Sequence, residues 1–149
     1  MKDSQHPSAE KTMDYASDYK FLSDESPIFS KKIKSRVSGK KVLDLGCGTG
    51  EYLKYFGEGS LGVDISQNNL DLAEKNNLRV AKMNLNQPQD LKETFDVVFT
   101  SHLLEHLDSP INLLRYAHNH LNSNGTLVVS VPNELSFIQL RYPYYTHNG

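Results

Sequence analysis

Five short apolar runs recur between residues 41 and 131: "KVLDLG" (41–46), "SLGVDI" (60–65), "LRVAKMNL" (78–85), "FDVVFTS" (95–101) and "GTLVVSV" (125–131). Each is rich in Val, Leu, Ile or Phe and is flanked by turn residues, which is the pattern of a strand. Their near-continuous apolar character suits parallel strands covered on both faces. Helical patterns sit between most of them. "SQNNLDLAEKNN" starts at a capping Ser66. "SPINLLRYAHNHLNSNG" starts at Ser109–Pro110 and is expected to bury Ile111, Leu114, Ala117 and Leu121 before stopping at "NSNG". Ahead of the first strand, "SPIFSKKIKSRVSG" offers Ser26 as N-cap, Pro27 at the first helical position, Phe29, Ile33 and Val37 on one face, and Gly39 as a stop. Strands alternating with helices predict an α/β fold, doubly wound around a mainly parallel sheet. Such sheets bind ligands beyond the carboxyl ends of their strands.

The 149 residues suffice for one domain with a core of its own. Residues 1–24 are polar and read as an arm, with Tyr15 and Tyr19 placed to act as a lid. Residues 25–149 form the expected domain. A formal net charge of -2 with scattered Lys and Arg gives no electrostatic case for a nucleic-acid backbone or an anionic membrane. Cys47 is the single cysteine, so no intrachain disulfide can form. The N-terminus lacks the apolar core of a secretion signal, and no run is long enough to span a bilayer. A cytoplasmic protein is the default expectation.

The most specific stretch is "VLDLGCGTG", with Gly46, Gly48 and Gly50 following the acid Asp44. A Walker-type phosphate loop needs a lysine and a hydroxyl residue after its glycines, whereas Gly50 is followed by Glu51 and Tyr52. A dinucleotide loop needs a third glycine where Glu51 stands, and a carboxylate there would compete with a pyrophosphate. An acid on the strand two residues ahead of the glycines suits a cationic head group instead. Asp64 closes the second strand 18 residues after Gly46, where a carboxylate can accept both hydroxyls of a ribose. Ile65 then offers an apolar surface to an adenine. Ammonium, ribose and adenine without phosphate describe S-adenosylmethionine. Plainer readings stand beside this one: Asp44 hydrogen-bonding loop amides, and glycines serving only a tight turn.

Over residues 27–147 the chain resembles the Rossmann-like, class I S-adenosylmethionine-dependent methyltransferases. "VLDLGCGTG", "GVDIS", "FDVVFTSHLLEHLDSP" and "LNSNGTLVVSVPN" look like four of that family's segments in the correct order. The style is closest to the small-molecule group of ubiquinone-biosynthesis O-methyltransferases and methionine-biosynthesis W-type proteins. The resemblance implies strand order 3-2-1-4-5 and S-adenosylmethionine as cofactor, with S-adenosylhomocysteine as product. It implies that Gly46, Cys47, Gly48 and Gly50 line the methionine part and that Asp44 supports the ammonium group. Asp64 takes the ribose, Ile65, Asn84 and Leu85 flank the adenine, and Ser101 ends the fourth strand beside the cofactor. Many relatives carry Asp where Asn84 stands, and the Asn carbonyl can accept the same bond. The implied acceptor is a small molecule with an oxygen, nitrogen or carbon nucleophile. The alternatives are a cofactor-binding module without turnover and a metal-dependent enzyme like the RNA 2′-O-methyltransferases. The family usually has seven strands, so five imply a C-terminally shortened chain. Its "GTLVVSV" edge would then be covered by the tail or paired with a second copy in a homodimer.

"HLLEH" carries His102, Glu105 and His106. The spacing matches the inverzincin protease signature, but that signature needs a long helix, and a strand runs into this segment. Small-RNA 2′-O-methyltransferases have Glu-x-x-Glu-His here plus a distal His, for which His147 is the counterpart, and they use a divalent metal. This chain has His102 at the first Glu, and its mostly neutral charge favours the small-molecule group, for which no metal is expected. His106 is the expected general base with Glu105 beside it; the plainer reading makes His106 a wall of the pocket.

Overall fold

The computed structural model describes residues 27–132, except the side chains at 27–30 and 32. The arm at 1–24, Tyr15, Tyr19, Ser26, His147 and the tail from residue 133 on lie outside the described residues. Two units are distinguished, Met1–Ser35 and Arg36–Gly149.

Helix α1 covers Pro27–Val37, begins on the proline, and is followed by Gly39 at φ +69. Ile33 and Val37 are buried on it, as their spacing of four predicts. The sheet consists of β1 (Val42–Leu45), β2 (Leu61–Asp64), β3 (Val80–Lys82), β4 (Phe95–Ser101) and β5 (Leu121–Ser130). Its order is β3-β2-β1-β4-β5 and every pair is parallel. The expected order 3-2-1-4-5 is therefore the one found. Helix α2 (Gln67–Lys75) joins β2 to β3 and buries Leu70 and Ala73. The Ser66 hydroxyl caps it, accepting the Asn69 amide at 3.4 Å. Helix α3 (Pro110–Asn119) joins β4 to β5. Between β1 and β2 the chain makes only a short 3-10 turn, Leu53–Tyr55.

Alternation along the strands sends side chains to two layers. One holds Leu43, Leu45, Leu61, Val63 and Val98 against Leu113, Tyr116 and Ala117 of α3. The other holds Cys47, Leu53 and Leu70, with Leu78 and Val80 packed against them. Gly62 on β2 makes the second layer close: a Cβ there would lie 2.5 Å from Leu53 Cδ1 and 2.7 Å from Cys47 Sγ.

Two details differ from expectation. Ile111 is 55% exposed, and α3 buries Leu113, Tyr116 and Ala117 instead, with His120 following. The two stripes share Ala117. The inner one wins because its polar atoms find partners: Tyr116 Oη donates to the Gln89 carbonyl at 2.9 Å, and His120 Nε2 accepts the Leu91 amide at 3.2 Å. The fifth strand starts at Leu121 rather than Gly125. Phe95 pairs with Leu121 and Val97 with Thr126, so Asn122–Gly125 bulge outward. The bulge is fastened by Asn122 Nδ2 donating to Asp96 Oδ1 at 2.9 Å.

Candidate active site

In a parallel sheet the loops after β1, β2, β3 and β4 share one rim, and the strand order reverses between β1 and β4. The candidate site residues from Asp44 to His106 lie on or beside this rim. The glycine loop leaves β1 and turns back over β2, with the Gly46 and Cys47 amides both donating to the Val63 carbonyl at 2.8 and 3.0 Å. Gly48 sits at φ +53, and a Cβ there would meet no atom within 4 Å. The loop therefore presents bare backbone to open space at that point, where a ligand can approach it closely. Gly46 faces Leu103, the second residue after β4, at 3.2 Å from a would-be Cβ.

Asp64 pins this loop. Its Oδ2 accepts the Gly48 amide at 2.9 Å and its Oδ1 accepts the Ser66 amide at 2.8 Å. A carboxylate has about four acceptor sites, so two remain for hydroxyl donors. Ile65 beside it is 61% exposed. Leu85 is buried, while Asn84 is exposed and turns its Oδ1 back to the Asn86 amide at 3.0 Å.

Asp44 is the exceptional group. It is 1% exposed, and its Oδ2 has no hydrogen-bond partner among the described residues. Burial first, and the nearby Asp64 charge second, push its carboxyl up from 3.8 to about 8. The same two carboxylates, after burial, push the Cys47 thiol up, so Cys47 is an inert packing group. The other buried side-chain atoms without a partner among the described residues are Thr100 Oγ1 and Ser101 Oγ. All three come from β1 and β4, the strands flanking the reversal point. On the Asp44 face, Phe99 stands opposite in register and carries the edges of Tyr52 and Phe56 at 4.9 and 5.8 Å between ring centres.

"HLLEH" is a strand end plus a 3-10 turn, Leu104–His106, not a long helix. His102 has φ +52, and its amide donates to the Ser130 carbonyl at 3.0 Å. His102 Nδ1 lies 3.8 Å from Glu105 Oε1. His106 is exposed, and its ring makes no hydrogen bond or ion pair among the described residues. No group of three or more His, Cys, Asp and Glu side chains among the described residues is arranged to hold a metal ion.

Sequence reasoning missed Asn86, whose Oδ1 accepts the Asp108 amide at 3.0 Å and so ties the loop after β3 to the loop after β4. It also missed His120 and Tyr116, which anchor the β3 loop to α3 from beneath. A buried His at a helix end carries no local signal that distinguishes it from a surface one.

Residues 15–147 match the family model described as "Methyltransferase domain". The chain is 32% identical over 120 residues to a ubiquinone biosynthesis O-methyltransferase of Coxiella burnetii, covering 72% of this chain and 51% of that protein. A Pseudomonas putida protein of the same description is 30% identical over 137 residues, covering 84% and 59%. The chain thus spans about half the length of the curated relatives it matches. Among solved structures, an amino pentose methyltransferase from Micromonospora echinaspora with S-adenosylmethionine bound superposes with a TM-score of 0.64 at 21% identity, over 89% of this chain and 60% of that one. A family match over most of the chain, with the expected strand order and a glycine loop pinned by the acid of the second strand, has one reading: the chain belongs to the class I S-adenosylmethionine-dependent methyltransferase family.

Proposed function

We propose that this chain binds S-adenosylmethionine along the rim and transfers its methyl group to a hydroxyl oxygen of a small molecule. The observation that carries the reading is the partnerless, buried Asp44 Oδ2 beneath a glycine loop open at Gly48. An isolated buried carboxylate is costly, and a cationic partner removes the cost. The residues fit the cofactor part by part: Asp44 for the ammonium, the bare backbone at Gly48 for the methionine stem, Asp64 for the ribose, and Ile65, Asn84 and Leu85 for the adenine. Ser101 Oγ supplies a further polar atom at the end of β4.

When bound, the cofactor supplies an activated methyl on a sulfonium, so alignment of the acceptor carries much of the rate. The acceptor class rests on the relatives: the two O-methyltransferases at 30–32% identity favour a hydroxyl. The experiment is calorimetric titration with S-adenosylmethionine and S-adenosylhomocysteine, followed by a methyl-transfer screen over catechol, simple phenols and amino sugars. Saturable binding of both cofactor forms with transfer to a hydroxyl is expected. Binding without transfer to any acceptor would reduce the protein to a cofactor-binding module, and transfer only to nitrogen would overturn the acceptor class.

A further inference from the structure

We propose that His102 is the group that takes the acceptor proton, and that Glu105 is its positioning residue; this rests on the methyl transfer argued above. Four described residues other than glycine have a positive φ: Asn77, Lys92, His102 and Asn124. Asparagine and histidine both enter that region more readily than most residues with a side chain. Lys92 is held there by Asp90, which accepts its amide at 2.9 Å and its ammonium at 2.6 Å. His102 is the one at the rim, directly after β4 and next to Leu103, which packs on the glycine loop. Glycine would adopt this conformation without strain. A left-handed residue that keeps a side chain at a binding rim, where glycine would be freer, is a pointer to a side chain that is needed there.

The side chain has the right partner. Nδ1 faces Glu105 Oε1 at 3.8 Å, with both side chains half-buried at 23% and 29% exposure. That is ion-pair distance, longer than a hydrogen bond, and such catalytic contacts tighten only when the substrate is bound. Glu105 stands three residues on, on the 3-10 turn; once tightened, the contact holds Nδ1 and leaves Nε2 for the acceptor. In the step, the acceptor oxygen forms a bond to the methyl carbon while the carbon–sulfur bond breaks and its electron pair stays on sulfur. The hydroxyl proton passes to His102 Nε2. The resulting imidazolium is paired with the Glu105 carboxylate and gives its proton to water. His106, exposed on the turn, is a wall of the acceptor side in this scheme.

The experiment compares the full chain with His102→Gly, His102→Asn, Glu105→Gln and His106→Ala, using catechol as acceptor probe. Glycine and asparagine both accept the backbone conformation, so folding is preserved. Thermal melts should show His102→Gly no less stable than the parent, and calorimetry should show an unchanged cofactor Kd. Transfer should fall by roughly 10²–10⁴-fold in kcat in both His102 variants. Added imidazole should restore part of it in His102→Gly, where space is left, and none in His102→Asn. Glu105→Gln should lower kcat about tenfold with KM unchanged, the signature of a group acting only in the transition state. A His102→Gly midpoint several degrees below the parent would make the ring structural and overturn the proposal. So would parent-like turnover without imidazole, or a larger loss in His106→Ala. A parent protein that binds cofactor yet methylates nothing would sink the proposed function and the base with it. Parent turnover that survives His102→Gly would sink only the base.

Discussion

The Asp64 carboxylate accepts the Gly48 amide at 2.9 Å across the mouth of the glycine loop. One side chain therefore shapes the loop and offers itself to a ligand. Asp64→Ala should raise the S-adenosylmethionine Kd at least tenfold, as expected when charge-assisted bonds of roughly 1.5–3 kcal/mol are lost. It should also lower stability by about 1–2 kcal/mol, because the Gly48 and Ser66 amides lose their acceptor. Denaturant titration and calorimetry on one sample separate the two effects. A stability loss with unchanged affinity would leave Asp64 as a loop fastener alone.

Asp44 sets a pH dependence with a definite sign. Its folded-state value of about 8 lies above the ordinary 3.8. Between those values the folded chain holds a proton that the unfolded chain has released, so ligand-free stability falls as pH rises through that window. Asp44→Asn removes this slope, and melts between pH 5 and 9 should show the variant overtaking the parent at the alkaline end.

A cationic ligand reverses the preference of Asp44 by favouring its charged form. Cofactor binding at pH 6–7 should therefore release close to one proton, and the release should vanish well above pH 8. Calorimetry in buffers of different ionisation enthalpy counts the protons directly. No buffer dependence at pH 6–7 would separate Asp44 from the ammonium.

Two glycines should fail in different ways. Gly62→Ala drives a Cβ into Leu53 and Cys47 and should cost about 1–3 kcal/mol of stability by overpacking. Gly48→Ala meets no atom, so its cost is the left-handed backbone, about 1–2 kcal/mol, together with lost cofactor affinity as the methyl fills the approach. Equal affinity in Gly48→Ala and the parent would mean that the ligand does not come close to the loop there.

Tyr116→Phe removes the bond to the Gln89 carbonyl and leaves that oxygen without its donor. A loss of about 1 kcal/mol is expected, with hydrogen exchange quickening first in the loop after β3 that carries Asn84 and Leu85. Uniform quickening over the whole sheet would show that the contact has no special bearing on that loop.

The strands, their parallel sense and the rim were legible in the chain because each rests on a local pattern. Apolar runs of six to eight residues between turn signals placed β1, β2 and β4 to within a residue at each end, whereas β3 keeps only Val80–Lys82 of the expected 78–85; Ser66 and Pro110 marked the starts of their helices correctly. The acid–glycine spacing found the loop, because a left-handed turn with open space at one position admits few residue types. What the chain by itself did not determine was the choice between alternatives of nearly equal local quality. The stripes through Ile111 and through Leu113 both suit a helix, and α3 was turned by polar partners 25 to 30 residues away in the loop after β3. The start of β5 at Leu121 was decided by the Phe95 amide reaching the His120 carbonyl at 2.9 Å, a pairing across the sheet. Asp44 looks like any strand acid in the sequence. Only its complete enclosure, with an oxygen left unpaired and Asp64 nearby, gives it a raised proton affinity, because desolvation is a property of the packed surroundings and not of the residue.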